Sequence, residues 1–267
     1  MSTNARDPLH PLALAERGRS RPPRFPNPVD LVRRFLNAPS GHTTRSGELQ
    51  QILDAAEQIA QSRNPSALRD YVRVLGRMVQ SELHAAVFRG HDVDRDQDAH
   101  AAGLWFPTTV PLTKDGRELW RLWQEVELDT PRTVELCRDL VMPWPWELSR
   151  AVDTMVDLCG EGGDAWEHDL TNHKLEIWEP FGVVWVHGGN HSLAAGIAAG
   201  RGTVEVGIKS GDTQFGRVYD IAPLFEHVHF DGDAFVRTHD GRVLSRPKNL
   251  AFAAIWEVGR IIHRVGA

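Results

Sequence analysis

A short polar stretch in the C-terminal half of the chain has the residue types of an anion-binding site. Its members form one continuous run of small or hydrogen-bonding residues: Gly188, Gly189, Asn190, His191 and Ser192. The β-branched and aromatic run Val183–Val186 before it predicts a buried strand, and the Ala- and Leu-rich run Leu193–Ala199 after it predicts a short helix. Unpaired N–H groups and the positive end of the helix dipole meet at a helix N-terminus. The pattern therefore predicts that this turn cradles a phosphate or a similar anion.

One residue of this turn has the side chain best suited to proton transfer. The reference pKa of histidine lies near neutrality, so His191 is the candidate catalytic residue, for proton transfer or phosphate contact. Glu176, His173 and His187 lie on or beside the strands predicted before the turn, and each is a candidate acid or base partner. A purely structural interpretation stays open, in which Asn190 caps the helix and the turn binds nothing.

The turn and its surroundings resemble the phosphate-contacting turn of the ParB/sulfiredoxin-like superfamily. The resemblance rests on the five polar residues, the small-residue helix after them and a Val-x-Val strand at Val204–Val206. The upstream order also fits, with a predicted helix at Glu147–Cys159 and predicted strands at Lys174–Trp178 and Val183–Val186. The resemblance covers Pro143–Lys209 and implies a small mixed-sheet domain that binds a nucleotide or phosphate ligand. Phosphoryl transfer or hydrolysis would be its reaction, and a nucleotide with Mg²⁺ is a candidate cofactor.

Two positions depart from that superfamily. The catalytic cysteine of sulfiredoxins corresponds to Asn190, which excludes their thiol chemistry here. The arginine that clamps a phosphate corresponds to Ser192, whose neutral hydroxyl cannot form the charge-assisted fork of an arginine. Arg201 and Lys209 are candidates to supply that charge. The run Trp178–Gly182, a Trp-x-Pro-x-Gly pattern upstream of Gly-Asn-His-Ser, resembles an uncharacterised bacterial family.

Composition restricts the classes of function. The 267 residues carry a net charge of −6, and the sequence pI is near 6.1. This balance disfavours broad contact with nucleic acid, which depends on many basic residues neutralising phosphates. The absence of a secretion signal and of an apolar run of about 20 residues predicts a cytoplasmic protein with no membrane partner. No metal site is predicted, since His227 and His229 on one strand are more typical of solvated side chains.

The chain as a whole predicts an α+β fold with three parts. Residues 1–26 are expected to form a disordered basic arm, and residues 27–142 a helical subdomain. Its predicted helices begin at Asn27, Ser46 and Asn64, and two more pass through residues 119–126 and 134–140. The third part, residues 143–267, is the expected ParB/sulfiredoxin-like domain, which ends in a C-terminal helix from Pro247. Within it, residues 204–208 predict one continuous strand.

Three functions are compatible with these patterns. The leading hypothesis is a protein that binds a nucleotide or small phosphate-bearing ligand at the Gly-Gly-Asn-His-Ser turn. The second is a DNA-associated accessory protein of a plasmid or phage, which the acidic composition disfavours. The third is a non-enzymatic protein-interaction module, for which a large exposed apolar patch would be the distinguishing feature.

Overall fold

The computed structural model describes residues 45–90, 103, 105–159, 162, 164–210, 213–247 and 249–266. These residues belong to one unit, Thr43–Ala267. Helices combine with several small mixed and antiparallel sheets, which confirms the predicted α+β class. The basic arm predicted at residues 1–26 and the helix predicted to begin at Asn27 lie outside the described residues.

The described helices lie mainly at the two ends of the unit. They are α1 (Arg45–Ala60), α2 (Pro65–Phe88), α3 (Leu148–Leu158), α4 (Asn190–Ala198) and α5 (Leu250–Gly266), with 3-10 turns at Leu119–Arg121 and Ala222–Glu226. Helix α2 begins as predicted, because the Asn64 side chain accepts the backbone N–H groups of Ser66 and Ala67 and Pro65 occupies the first turn. Helix α5 packs against both α1 and α2, so the first and last helices form one layer.

The strands of the described residues are short and are joined into four sheets. They are β1 (Gln124–Glu125), β2 (Arg132–Glu135), β3 (Leu140–Met142), β4 (Leu175–Glu179), β5 (Val183–Val186), β6 (Thr203–Val206), β7 (Ile208–Ser210), β8 (Thr213–Phe215), β9 (Arg217–Asp220), β10 (Val228–Asp231), β11 (Ala234–Arg237) and β12 (Val243–Ser245). The largest sheet has the order β1-β9-β4-β5-β3. In it, β4 is parallel to β9 and antiparallel to β5.

Apolar side chains cover both faces of this five-stranded sheet. Along β4, Leu175 and Ile177 face a core shared with the β2–β6 pair and α4. Trp178 faces the opposite core, which contains α1, α2, α5 and the buried Trp105. Burial on both faces explains why the β5 run is apolar at every position instead of alternating.

The two helices predicted within residues 119–140 are wrong. Residues 119–121 form only a 3-10 turn, and the rest of the segment contributes β1, β2 and β3. Val134 and Leu136 are buried two residues apart, which is the period of a strand. Strand β2 pairs with β6 about 70 residues later, so a partner distant in sequence decides its conformation.

Two further local predictions need correction. The residue that caps α4 is Gly189, with φ of 76°, and Asn190 is the first residue of the helix. The single strand predicted at 204–208 is divided at Gly207, whose φ is 89°, into β6 and β7. The domain boundary predicted between Met142 and Pro143 falls inside one unit, since β1, β2 and β3 all pair with strands that follow it.

Candidate functional site

The Gly-Gly turn lies where predicted, between β5 and α4, but the chain itself occupies the space beside it. A Cβ atom on Gly188 would lie 2.4 Å from the backbone oxygen of Asn172, and one on Gly189 would lie 2.3 Å from Cδ2 of His173. Both distances are far below van der Waals contact. The two glycines therefore allow the loop before β4 to pack directly on the turn.

Asn190 and His191 direct their side chains to the segment before α3. The Asn190 side-chain oxygen accepts the backbone N–H of Trp144 at 2.6 Å, and His191 Nε2 accepts that of Glu147 at 3.3 Å. The His191 ring also lies edge-on to Trp146, with the ring centroids 4.8 Å apart. Both side chains are buried. They attach α4 to the start of α3.

The His191 contact determines which of its nitrogens holds the proton. Because Nε2 accepts a backbone N–H, the neutral ring carries its proton on Nδ1. Burial lowers the pKa of His191, and the nearby Arg150 lowers it further. The accepting nitrogen is thus already used, so a role as general base would require the Glu147 contact to break.

His173 and Ser192 form a second hydrogen-bonded group at the same turn. His173 Nδ1 accepts the backbone N–H of Asp169 at 3.0 Å, so Nε2 is the protonated nitrogen and donates to Ser192 Oγ at 2.8 Å. The Ser192 hydroxyl in turn donates to the carbonyl oxygen of Gly189 at 3.0 Å. This direction of donation is opposite to that of a histidine base activating a serine nucleophile.

Aromatic contacts hold the His173 ring in place. Trp166 stacks on it with a centroid distance of 4.9 Å and an interplanar angle of 14°, and His168 lies parallel to it at 5.9 Å. The Trp166 indole also donates to the carbonyl oxygen of Ser192. Burial lowers the pKa of His173, and the neighbouring His168 adds to this effect, so both features favour the neutral ring.

Glu176 and His187 make the third group of predicted partners. Their side chains meet at 3.2 Å, between Glu176 Oε2 and His187 Nε2. The other Glu176 oxygen accepts the indole N–H of Trp178. Among the described contacts, none joins this pair to His191 or His173. The geometry gives each predicted side chain a packing role, and ligand binding at the turn stays a prediction.

A cavity of about 740 Å³ lies at the opposite end of the strands, where β9 ends and β1 begins. The segment before β1, the 3-10 turn after β9 and the end of α5 enclose it. Its lining combines basic side chains with an apolar wall: Arg117, Arg121, Leu122, Trp123, Gln124, Asp220, Ala222, Pro223, Phe225, Glu226, His227, Arg260, His263 and Arg264. We call this cavity the arginine cleft.

The four arginines of the arginine cleft differ in how firmly they are held. Arg260 donates to the carbonyl oxygens of Phe225 and Val228, pairs with Glu257 at 3.0 Å and lies 5.3 Å above the Phe225 ring. This guanidinium is fixed by the fold.

The other three arginines are more exposed and easier to redirect. Arg264 pairs with Glu57 and Arg117 with Asp115, in both cases at the surface. No side-chain partner of Arg121 is found among the described residues. Exposed pairs of this kind are weak, so a ligand phosphate can compete for them.

The apolar wall of the arginine cleft contains a preformed aromatic surface. Trp123 stacks on Tyr219 at a centroid distance of 4.7 Å and an interplanar angle of 21°, and it also contacts Trp178 edge-on. The position of its ring is therefore set before any ligand arrives. A flat aromatic wall beside guanidinium groups suits a ligand with a planar apolar part and an anionic part.

A second cavity of about 540 Å³ adjoins the arginine cleft. The two share Asp220 and His263, and the second is also lined by Glu179 and Pro180 of the Trp-x-Pro-x-Gly run. Glu179 is held by Arg132 and by Arg69, whose Nε lies 3.8 Å away. Glu179 and Asp220 are direct neighbours at the ends of parallel strands, so the two cavities form one groove.

Sequence patterns did not point to this groove. Its basic residues are distributed between Arg69 and Arg264 and come together only in the folded chain, where α5 packs on α1, α2 and the 3-10 turn after β9. The Trp178–Gly182 pattern is the part of the sequence analysis that reaches the groove. Its Trp178 and Phe181 are buried, and its Glu179 and Pro180 line the second cavity.

Neither a metal-binding cluster nor a membrane-spanning helix is found among the described residues. They contain no group of three or more His, Cys, Asp or Glu side chains placed to hold a metal ion. None of the described helices has the length and apolar character needed to cross a lipid bilayer.

Comparison with known proteins places the chain in a family. No curated protein and no solved structure matches the sequence. The model of a family of unknown function, DUF6710, matches residues 36–267. The chain therefore belongs to the DUF6710 family.

Proposed function

We propose that this protein binds a small phosphate-bearing ligand of the nucleotide class in the arginine cleft. The observation that supports this most directly is the convergence of four arginines beside a fixed aromatic wall. The ligand class is the one expected from the sequence, whereas the proposed location lies at the opposite end of the strands from the Gly-Gly turn. The relationship to the ParB/sulfiredoxin-like superfamily stays a prediction, as does any phosphoryl transfer or hydrolysis.

The chemistry of the arginine cleft fits both ends of a nucleotide. Guanidinium groups bind phosphate oxygens through paired charge-assisted hydrogen bonds, and Arg121 is placed to do so without first losing an ion pair. The stacked ring of Trp123 offers a surface to a base, because stacking on aromatic rings does not depend on base identity. Arg260, which is fixed by backbone carbonyls, would contribute a preorganised positive charge.

Calorimetric titration of the purified protein with ADP and ATP, with and without Mg²⁺, tests this proposal. We expect the Arg117→Gln/Arg121→Gln double variant to bind at least tenfold more weakly, since one hydrogen bond to a charged group contributes about 1.5 kcal/mol. Arg138→Gln is the matched control, because Arg138 is exposed and lines neither cavity. Absence of binding by the wild type, or equal affinities of wild type and double variant, would contradict the proposal.

A protein-interaction surface is the second candidate function, and helix α3 favours it. Leu148, Val152 and Val156 recur at intervals of four and are 46%, 43% and 72% exposed, while Ala151 is the buried residue of this helix. The apolar sector of α3 is thus wider than the part that α4 covers. Affinity purification from the native host would test this surface, since a partner recovered with the wild type should be lost with Val152→Ser/Val156→Ser.

A further inference from the structure

Asp220 carries a negative charge at the point where the two cavities meet, next to the cleft that four arginines line. It is the last residue of β9, and it is shared with the second cavity together with His263. Its register neighbours are Gln124 on β1 and Glu179 on β4. Gln124 follows Trp123 directly, so Asp220 lies beside the end of the aromatic wall.

One of the two carboxylate oxygens of Asp220 already accepts a hydrogen bond within the fold. Its Oδ1 accepts the backbone N–H of Ala222 at 2.9 Å, which fixes the turn after β9. No described residue donates to Oδ2, although four arginines line the same cleft. The nearby arginines pair with other carboxylates instead, namely Asp115, Glu57 and Glu257. The second oxygen of Asp220 is therefore accessible to a donor from a ligand.

An ionised carboxylate accepts hydrogen bonds and repels other anions. A ligand that fills the arginine cleft should thus keep its phosphates away from Asp220 and present hydroxyl or amino groups to it. In a nucleotide, the group that lies between phosphate and base is the sugar, and ribose carries two adjacent hydroxyl donors. An acidic side chain that accepts the ribose 2′-hydroxyl is a recurring device in nucleotide-binding proteins.

We propose that Asp220 makes the cleft selective for ligands with a hydroxylated sugar, so that ribonucleotides bind in preference to 2′-deoxyribonucleotides. This inference rests on the proposed function, since it names the ligand class of the same cleft. The selectivity arises because a deoxy ligand leaves the desolvated carboxylate oxygen without a donor. Glu226, the other carboxylate lining the cleft, has no equivalent role, because it does not border the second cavity.

The test compares the affinities of ADP and 2′-deoxy-ADP for wild type and variants by calorimetry. We expect the wild type to bind ADP roughly tenfold more tightly, the difference that one hydrogen bond to a charged group produces. Asp220→Ala should bind the two nucleotides equally. Asp220→Asn should show a reduced preference, and it keeps an oxygen for the Ala222 N–H if the alanine variant does not fold. Glu226→Gln is the matched control and should change both affinities by the same factor.

Each outcome has a defined meaning. Equal affinities of ADP and 2′-deoxy-ADP for the wild type would overturn the inference about Asp220 while leaving the cleft as a nucleotide site. A tenfold preference that survives in Asp220→Ala would overturn it as well. If neither nucleotide binds the wild type, the proposed function itself fails, and the inference fails with it. Loss of the preference in Asp220→Ala but not in Glu226→Gln would support it.

Discussion

Replacing Gly189 with alanine tests whether the Gly-Gly turn is packed by the chain or open to a ligand. The residue has φ of 76°, and an added Cβ would lie 2.3 Å from the His173 ring. That ring cannot move easily, because hydrogen bonds to Asp169 and Ser192 and the stacked Trp166 hold it. Gly189→Ala therefore carries two costs, one for the backbone conformation and one for the clash.

Gly200, just beyond the C-terminal end of the same helix, separates the two costs. Its φ is 67°, but an added Cβ would meet nothing within 4 Å. Gly200→Ala should lower the free energy of unfolding by about 1–2 kcal/mol, the cost of left-handed backbone for an L-residue. Gly189→Ala should lower it by roughly 2–5 kcal/mol, since overpacking adds about 1–3 kcal/mol.

Urea unfolding monitored by tryptophan fluorescence measures both variants against the wild type. The difference between the two glycine variants is the clash term. If the losses were equal, the packing interpretation of the turn would be refuted. Gly188→Ala is an independent check, because its Cβ would lie 2.4 Å from the Asn172 carbonyl oxygen without a left-handed backbone. If the turn instead cradled a ligand, Gly188→Ala would keep its stability, Gly189→Ala would lose only what Gly200→Ala loses, and both would lose affinity for ADP.

Three further predictions concern other parts of the fold. Burial lowers the pKa of His84 from 6.5 to about 4, so its neutral ring contributes fully to stability above pH 6.5 and this contribution is lost as the pH falls toward 4. Between pH 7.5 and 5, the free energy of unfolding of the wild type should therefore fall by about 2 kcal/mol more than that of His84→Leu. Parallel pH curves of the two proteins would contradict this. Asn190→Ala leaves the Trp144 N–H without its acceptor and should lower the free energy of unfolding by about 1–3 kcal/mol. Asn190→Asp keeps an acceptor oxygen and should lower it less in the same urea assay. Val156→Ser changes a side chain that is 72% exposed, so it should change the free energy of unfolding by no more than about 0.5 kcal/mol and shift the thermal midpoint only slightly. A larger loss of stability would show that α3 is covered in solution.

Local patterns in the sequence were sufficient wherever neighbouring residues determine the conformation. The start of α2 at Asn64-Pro65 is an example, because its cap contacts lie within three residues. The strand β5 and the helix α4 around the Gly-Gly turn were predicted for the same reason.

Predictions failed where a distant partner decides the outcome. Residues 134–140 were expected to be helical, but the two ends of this segment belong to the strands β2 and β3 because β6 and β5 supply their hydrogen bonds. The packing of His173 on Gly189, which fills the turn, likewise depends on a loop that no spacing rule connects to it.

The sequence by itself determined the α+β class, the positions of most helices and the polar turn between β5 and α4. Only the tertiary structure decided which polar residues are turned inward and which line a cavity. Asn190 and His191 are hydrogen-bonded to backbone N–H groups of another segment, whereas Arg121 and Asp220 line one groove although they are about 100 residues apart in sequence. The physical reason is that a hydrogen bond or a buried contact requires two partners, and a local sequence pattern describes only one of them.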